Sequence, residues 1–186
     1  MIDQLTAIEH GSGPFARRLD LQRGVGVFGH SFGGTTAGTV RLLDTRVRSA
    51  INLDGMGPDG PYTIVEDLNA GAQPLLWVLR SGPRASNWYP DRLLTPITRG
   101  ALRVVLNRVG LTHGDFSDES FWGGTNTPAN RTAKLKGMAE VQEWVRTFFD
   151  ATVRDDSRGL KRMVGRKRTA TPNSVTVLGA FWQRSQ

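Results

Sequence analysis

Apolar residues gather in short runs along this chain, and their spacing alternates between that of strands and that of helices. Gly24-Val25-Gly26-Val27-Phe28 reads as a buried parallel strand, and Phe32 to Leu43 continues as a helix with the small residues Thr35, Thr36, Ala37 and Gly38 on its early turns. Asp44-Thr45-Arg46 makes a turn, and Arg48 to Leu53 reads as the next strand, delivering Asp54 at its carboxyl end. Gly55, Gly57, Pro58, Gly60 and Pro61 then form a loop. Gln73 to Arg80 is a third strand, with Pro74 tolerable only at its beginning, and Ala101 to Leu106 is a fourth. Pro128 opens a long amphipathic helix in which Leu135, Met138, Val141, Val145 and Phe148 recur at helical spacing, so one sheet face is expected beneath it. Upstream, Ile2, Leu5 and Ile8 mark a helix fragment that His10-Gly11-Ser12-Gly13-Pro14 stops. Beyond Asp150 the periodicity fades, with Val175-Thr176-Val177-Leu178 and Phe181-Trp182 as candidates for a late strand or a packing clamp.

The alternation, with no repeat at a period of 20–50 residues, predicts an α/β domain built on a mostly parallel sheet. Residues 1–150 are expected to form that domain and 151–186 a basic, partly disordered tail. A length of 186 residues and 38% hydrophobic content suffice for one sizeable core. The absence of cysteine excludes disulfides, thiolate metal sites and a cysteine nucleophile, and three histidines without a pairing spacing argue against a metal. No window approaches the ~18 apolar residues of a membrane span, and Met1-Ile2-Asp3-Gln4 lacks the basic start of a signal peptide, so a cytoplasmic location is the default. The net charge of +7 is concentrated after residue 153, in a run that includes Lys161-Arg162 and Arg166-Lys167-Arg168. Such a run suits an anionic surface, but no nucleic-acid recognition motif accompanies it, and nucleic acid is not an expected partner.

Between the first strand and its helix stands Gly29-His30-Ser31-Phe32-Gly33-Gly34. A serine on so sharp a strand-to-helix turn projects its hydroxyl above the sheet, as in the nucleophile elbow of α/β-hydrolases. It needs a base, and the base needs an orienting acid. His30 adjoins the serine, where consecutive side chains diverge, and is read as shaping the elbow; His113 follows the fourth strand, as the order Ser, Asp, His requires. Asp54 is the better placed acid, with Asp115 and Asp118 as competitors close to His113.

Gly29-His30-Ser31-Phe32-Gly33-Gly34, Leu53-Asp54-Gly55 and His113-Gly114-Asp115-Phe116-Ser117-Asp118 together resemble the plasma-type (isoform II) platelet-activating-factor acetylhydrolases and their bacterial relatives, as does the 23-residue step from Ser31 to Asp54. The resemblance spans roughly residues 1–150. It implies Ser31 as nucleophile, His113 as base and Asp54 as its orienter, in the hydrolysis of short acyl groups of phospholipids or other small esters, with no metal or other cofactor. The Phe32 amide is the expected oxyanion donor, and His30, Trp88, Phe116, Phe121 and Trp122 are expected on the substrate side.

Such a domain has further strands before the elbow, and at ~30 residues per strand-and-crossover unit upwards of ~60 residues are expected to be absent. The Val25-Val27-Phe28 strand then becomes an apolar sheet edge, open to self-association or to a complementing N-terminal chain. Two alternatives accompany the esterase reading: an inactive remnant that needs the missing half, and a basic binding module acting through residues 154–168.

Overall fold

The computed structural model describes residues 1–55, 73–80, 101–106, 112–118, 127–165 and 175–178. Helix α1 (Ile2–His10) leads through a 3-10 turn at Leu21–Arg23 to strand β1 (Val25–His30), helix α2 (Phe32–Leu43) and strand β2 (Val47–Leu53). Strands β3 (Leu75–Arg80) and β4 (Ala101–Leu106) follow, then a 3-10 turn at His113–Phe116, helices α3 (Pro128–Thr152) and α4 (Arg158–Gly165), and strand β5 (Val175–Leu178).

The five strands form one sheet in chain order. β1 to β4 run parallel, with Phe28 beside Ile51, Ile51 beside Leu76 and Leu76 beside Leu102, while β5 is antiparallel to β4. This is the mostly parallel α/β architecture that the sequence predicts. β2 and β3 are buried on both faces, which is why they read as continuous apolar runs. Their alternate residues serve two cores. Ile51, Leu53, Leu76 and Val78 meet Val141, Trp144 and Phe148 of α3, with Phe116 and Leu160 in the same cluster; Ala50, Leu75, Trp77 and Leu79 form the other cluster with Ala37 of α2.

Two expectations need correction. β1 is not a buried strand: it is an outer strand among the described residues, and Phe28 is 61% exposed. On α3, Leu135 faces solvent at 49% exposure, and Trp144, absent from the predicted stripe, is buried with Val141 and Phe148. The drift follows from 3.6 residues per turn, which over this long helix carries the early stripe off the sheet.

α2 contains three glycines and three threonines, poor helix formers, so its stability comes from packing. Gly34, Thr35, Ala37, Gly38 and Arg41 are its buried residues. Arg41, 1% exposed, donates from Nη1 to the Gln73 carbonyl at 2.5 Å, tying the helix to the entry of β3. On the opposite face Arg48 Nε donates to the Thr152 carbonyl at 2.6 Å, and the Ser49 and Thr152 hydroxyls lie 2.8 Å apart, joining the start of β2 to the end of α3.

Candidate active site

The parallel strands deliver their carboxyl ends to one edge of the sheet, where the chain passes from β1 to α2, leaves β2 and leaves β3. At the first of these points Ser31 is held at φ 56°, ψ −125°, a conformation that L residues rarely adopt. The turn is locked from both sides. The Ser31 amide donates to the Leu53 carbonyl at 3.0 Å, and the Ser31 carbonyl accepts from Gly34 at 3.0 Å and Thr35 at 3.3 Å. Strain of this kind costs roughly 1–3 kcal/mol and persists only where the surroundings over-determine it.

The close approaches that fix the elbow differ from the Gly-x-Ser-x-Gly pattern in one respect. A Cβ on Gly29 would meet the Gly33 carbonyl group at 2.3 Å, and one on Gly34 would meet Asn52 Oδ1 at 2.4 Å, whereas at Gly33 nothing lies within 4 Å. The second indispensable glycine is therefore Gly34.

Asp54 follows β2 with φ 48°, and its side chain is fully buried. The Asp54 amide continues the sheet ladder by donating to the Val78 carbonyl at 2.8 Å. Its carboxylate gathers three donors: Oδ2 accepts from Arg80 Nε at 2.8 Å and lies 2.7 Å from His113 Nδ1, and Oδ1 accepts from the Arg80 amide at 3.2 Å. His113 Nε2 in turn lies 2.9 Å from Ser31 Oγ. Three residues from three separate segments thus form one hydrogen-bonded line, and the tautomer that suits it donates from Nδ1 to the carboxylate and accepts the hydroxyl at Nε2. The His113 side chain is 44% exposed, so the line reaches solvent at its histidine.

The 3-10 turn carrying His113 has its own anchor. Asp115, fully buried, accepts through Oδ2 from the Thr112 amide at 2.6 Å and the Thr112 hydroxyl at 2.8 Å, while Lys134 Nζ on α3 stands 3.4 Å from Oδ1. Of the predicted competitors for the acid, Asp115 is committed to this cap and Asp118 is exposed beyond the turn.

The His30 ring lies 4.4 Å from that of His113 and stacks on Phe116 at 6.2 Å. Phe116 is 8% exposed and belongs to the core cluster beneath α3. It also borders a cavity of about 290 Å³ between β1 and α3, lined by Phe28, Leu53, Met138, Val141 and Val145 among others. Trp88, Phe121 and Trp122 lie outside the described residues. Phe32 opens α2 with its side chain 54% exposed.

Arg80, Asn52 and Lys134 escaped the sequence reading. Arg80 ends a parallel strand next to the one that delivers Asp54, so the same strand-end rule would have found it. Asn52, fully buried, accepts the Gly55 amide at 2.7 Å and offers no sequence signal. Among the described residues no cluster of His, Cys, Asp or Glu is arranged to hold a metal, and no helix is long and apolar enough to cross a membrane.

No family model and no curated protein matches the chain. Among solved structures it is similar to a ferulic acid esterase from Streptomyces cinnamoneus, with a TM-score of 0.63 and 24% sequence identity. The match covers 95% of this chain and 53% of the other, so the chain spans about half the length of that enzyme. The esterase-like α/β fold is therefore shared.

Proposed function

We propose that this chain is a serine carboxylic-ester hydrolase in which Ser31 is the nucleophile, His113 the general base and Asp54 the group that orients it. The observation behind this reading is the line of contacts from Ser31 Oγ to His113 Nε2 at 2.9 Å and from His113 Nδ1 to Asp54 at 2.7 Å. The shared fold with a solved esterase is consistent with it. The residue motifs that resemble the platelet-activating-factor acetylhydrolases favour short acyl esters of phospholipids or other small esters as substrates.

Ser31 Oγ attacks the ester carbonyl carbon while its proton passes to His113 Nε2, and the buried Asp54 carboxylate stabilises the imidazolium so formed. The negative charge developing on the carbonyl oxygen is met by the Phe32 amide at the positive end of α2. The tetrahedral intermediate collapses by breaking the bond to the alcohol, which leaves with the proton from His113. Water then attacks acyl-Ser31, again losing its proton to His113, and the acid departs as Oγ is reprotonated. The His30 ring packs between those of His113 and Phe116, backing the base.

A second oxyanion donor comes, in this reading, from a segment that adds beside β1, an outer strand among the described residues. The exposed Phe28 and Phe32 favour such an addition. Each oxyanion donor is worth ~10²–10³ in rate.

The test is hydrolysis of short-chain p-nitrophenyl esters by the purified chain beside Ser31→Ala, with molar mass by light scattering on the same samples. Turnover that vanishes in Ser31→Ala is expected. Equal turnover by both proteins, or none from a folded chain, overturns the reading for this chain.

A further inference from the structure

Arg80 closes the sheet around Asp54 in an unusual way. Regular pairing of β2 with β3 ends at Leu53 and Val78, and the Asp54 amide still donates to the Val78 carbonyl. The next rung of a parallel ladder would join the Arg80 amide to the Asp54 carbonyl. At Asp54 the backbone turns to φ 48°, and the Arg80 amide is met instead by carboxylate Oδ1 at 3.2 Å. The side chain of Arg80 then returns to the same carboxylate, with Nε 2.8 Å from Oδ2, the oxygen that also faces His113. One residue thus grips both oxygens, one through its backbone and the other through a cation.

We propose that Arg80 is a positioning residue that fixes the Asp54 carboxylate toward His113 and, by sharing its charge, lowers the pH at which His113 becomes an available base. The proposal rests on the triad reading above. A carboxylate beside an imidazole favours the charged ring. The guanidinium on the same oxygen offsets part of that attraction. Burial strengthens the effect, because Arg80 is only 25% exposed and Asp54 is fully buried, so solvent screens the pair weakly.

Among the described residues the other charged or titratable groups around His113 face elsewhere or carry no such charge. His30 on β1 packs against its ring at 4.4 Å. Asp115 of the same turn is directed to Thr112, and Lys134 on α3 stands against Asp115 at 3.4 Å.

The test is the titration of the His113 ring by NMR in the whole chain, beside Arg80→Met. The three histidine signals are assigned with His10→Gln, His30→Gln and His113→Gln. In Arg80→Met the His113 midpoint moves to higher pH, and Arg80→Lys returns it toward the wild-type value. An unmoved or lowered midpoint in a folded Arg80→Met protein overturns the proposal. Should that variant lose the fold, Arg80→Gln, which keeps a donor without the charge, answers the same question.

This readout needs no turnover, so its failure is distinct from failure of the esterase reading, which the Ser31→Ala comparison decides. Where Ser31-dependent hydrolysis is present, the acidic limb of the kcat/KM profile shifts with the NMR midpoint. A structural role alone would lower the rate at every pH and leave the limb in place.

Discussion

Gly29 and Gly33 pass so closely that a Cβ on the former would stand 2.3 Å from the carbonyl group of the latter. The end of β1 and the first turn of α2 therefore meet backbone to backbone, and this contact holds Ser31 above the sheet. Gly29→Ala must push the two apart, at a cost of roughly 1–3 kcal/mol. Gly33→Ala enters open space inside a helix and is expected to stabilise by up to about 1 kcal/mol. Urea unfolding of the two variants decides the matter: Gly29→Ala should fall well below the wild type and Gly33→Ala should not. The reverse order would mean that the elbow is built differently.

The line from Ser31 through His113 to Asp54 makes a graded prediction for ester hydrolysis. Ser31→Ala and His113→Ala should abolish turnover. Asp54→Asn should lower kcat by about 10⁴, because an amide facing Nδ1 favours the wrong imidazole tautomer. His30→Ala removes a ring packed against His113 and should reduce the rate only in part. Total loss at His30 would transfer the role of base to it, and a harmless Asp54→Asn would exclude Asp54 as the acid.

Asp115 should matter through the position of His113. Removing its carboxylate strands the Thr112 amide and hydroxyl and leaves the nearly buried Lys134 without its 3.4 Å counter-charge. Asp115→Ala is expected to cost about 1–3 kcal/mol. Asp115→Asn, which still accepts from Thr112, should cost less and preserve more turnover. Thermal melts with kcat on the same samples check both, and equal stability of Asp115→Ala and wild type would refute the anchoring role.

Much of this was legible in the sequence because it depends on local rules. The strand-turn-helix around Ser31 and the strand delivering Asp54 announced themselves through apolar runs and their breakers, and His113 through its place after the fourth strand. The strand at Val175–Leu178 was legible as a short β-rich run, although its antiparallel place beside β4 is a tertiary choice that no local pattern encodes. Arg80 was within reach of the strand-end rule, but its role depends on the neighbouring carboxylate turning back toward it, which is a tertiary contact. Gly34 and Asn52 were hidden because the contact between them joins α2 to β2 across the sheet. Helix α4 was missed because it is short and its buried Leu160 fits a site on α3, where Thr147 crowds Gly159.

The last prediction concerns acid. Arg46 joins Asp44, at the end of α2, to Asp3 on α1, with Nη2 2.7 Å from the former and Nη1 2.5 Å from the latter. Hydrogen bonds from the Arg46 side chain, then from its backbone, lower the Asp44 carboxyl from its ordinary 3.8 to about 2, and the same guanidinium lowers Asp3. A carboxyl depressed in the folded state stabilises that state above its unfolded value, and the contribution is lost as pH falls through the folded one. Asp3 is exposed and Asp44 partly so, and the effect is modest and weakens with salt. α1 has no buried residue, and this cluster joins it to the end of α2. In low salt, wild type should melt above Arg46→Gln at pH 5, and the gap should close between about pH 4 and 2 as the carboxyls protonate. A gap that persists unchanged to pH 2 would show that Arg46 acts through packing instead of charge.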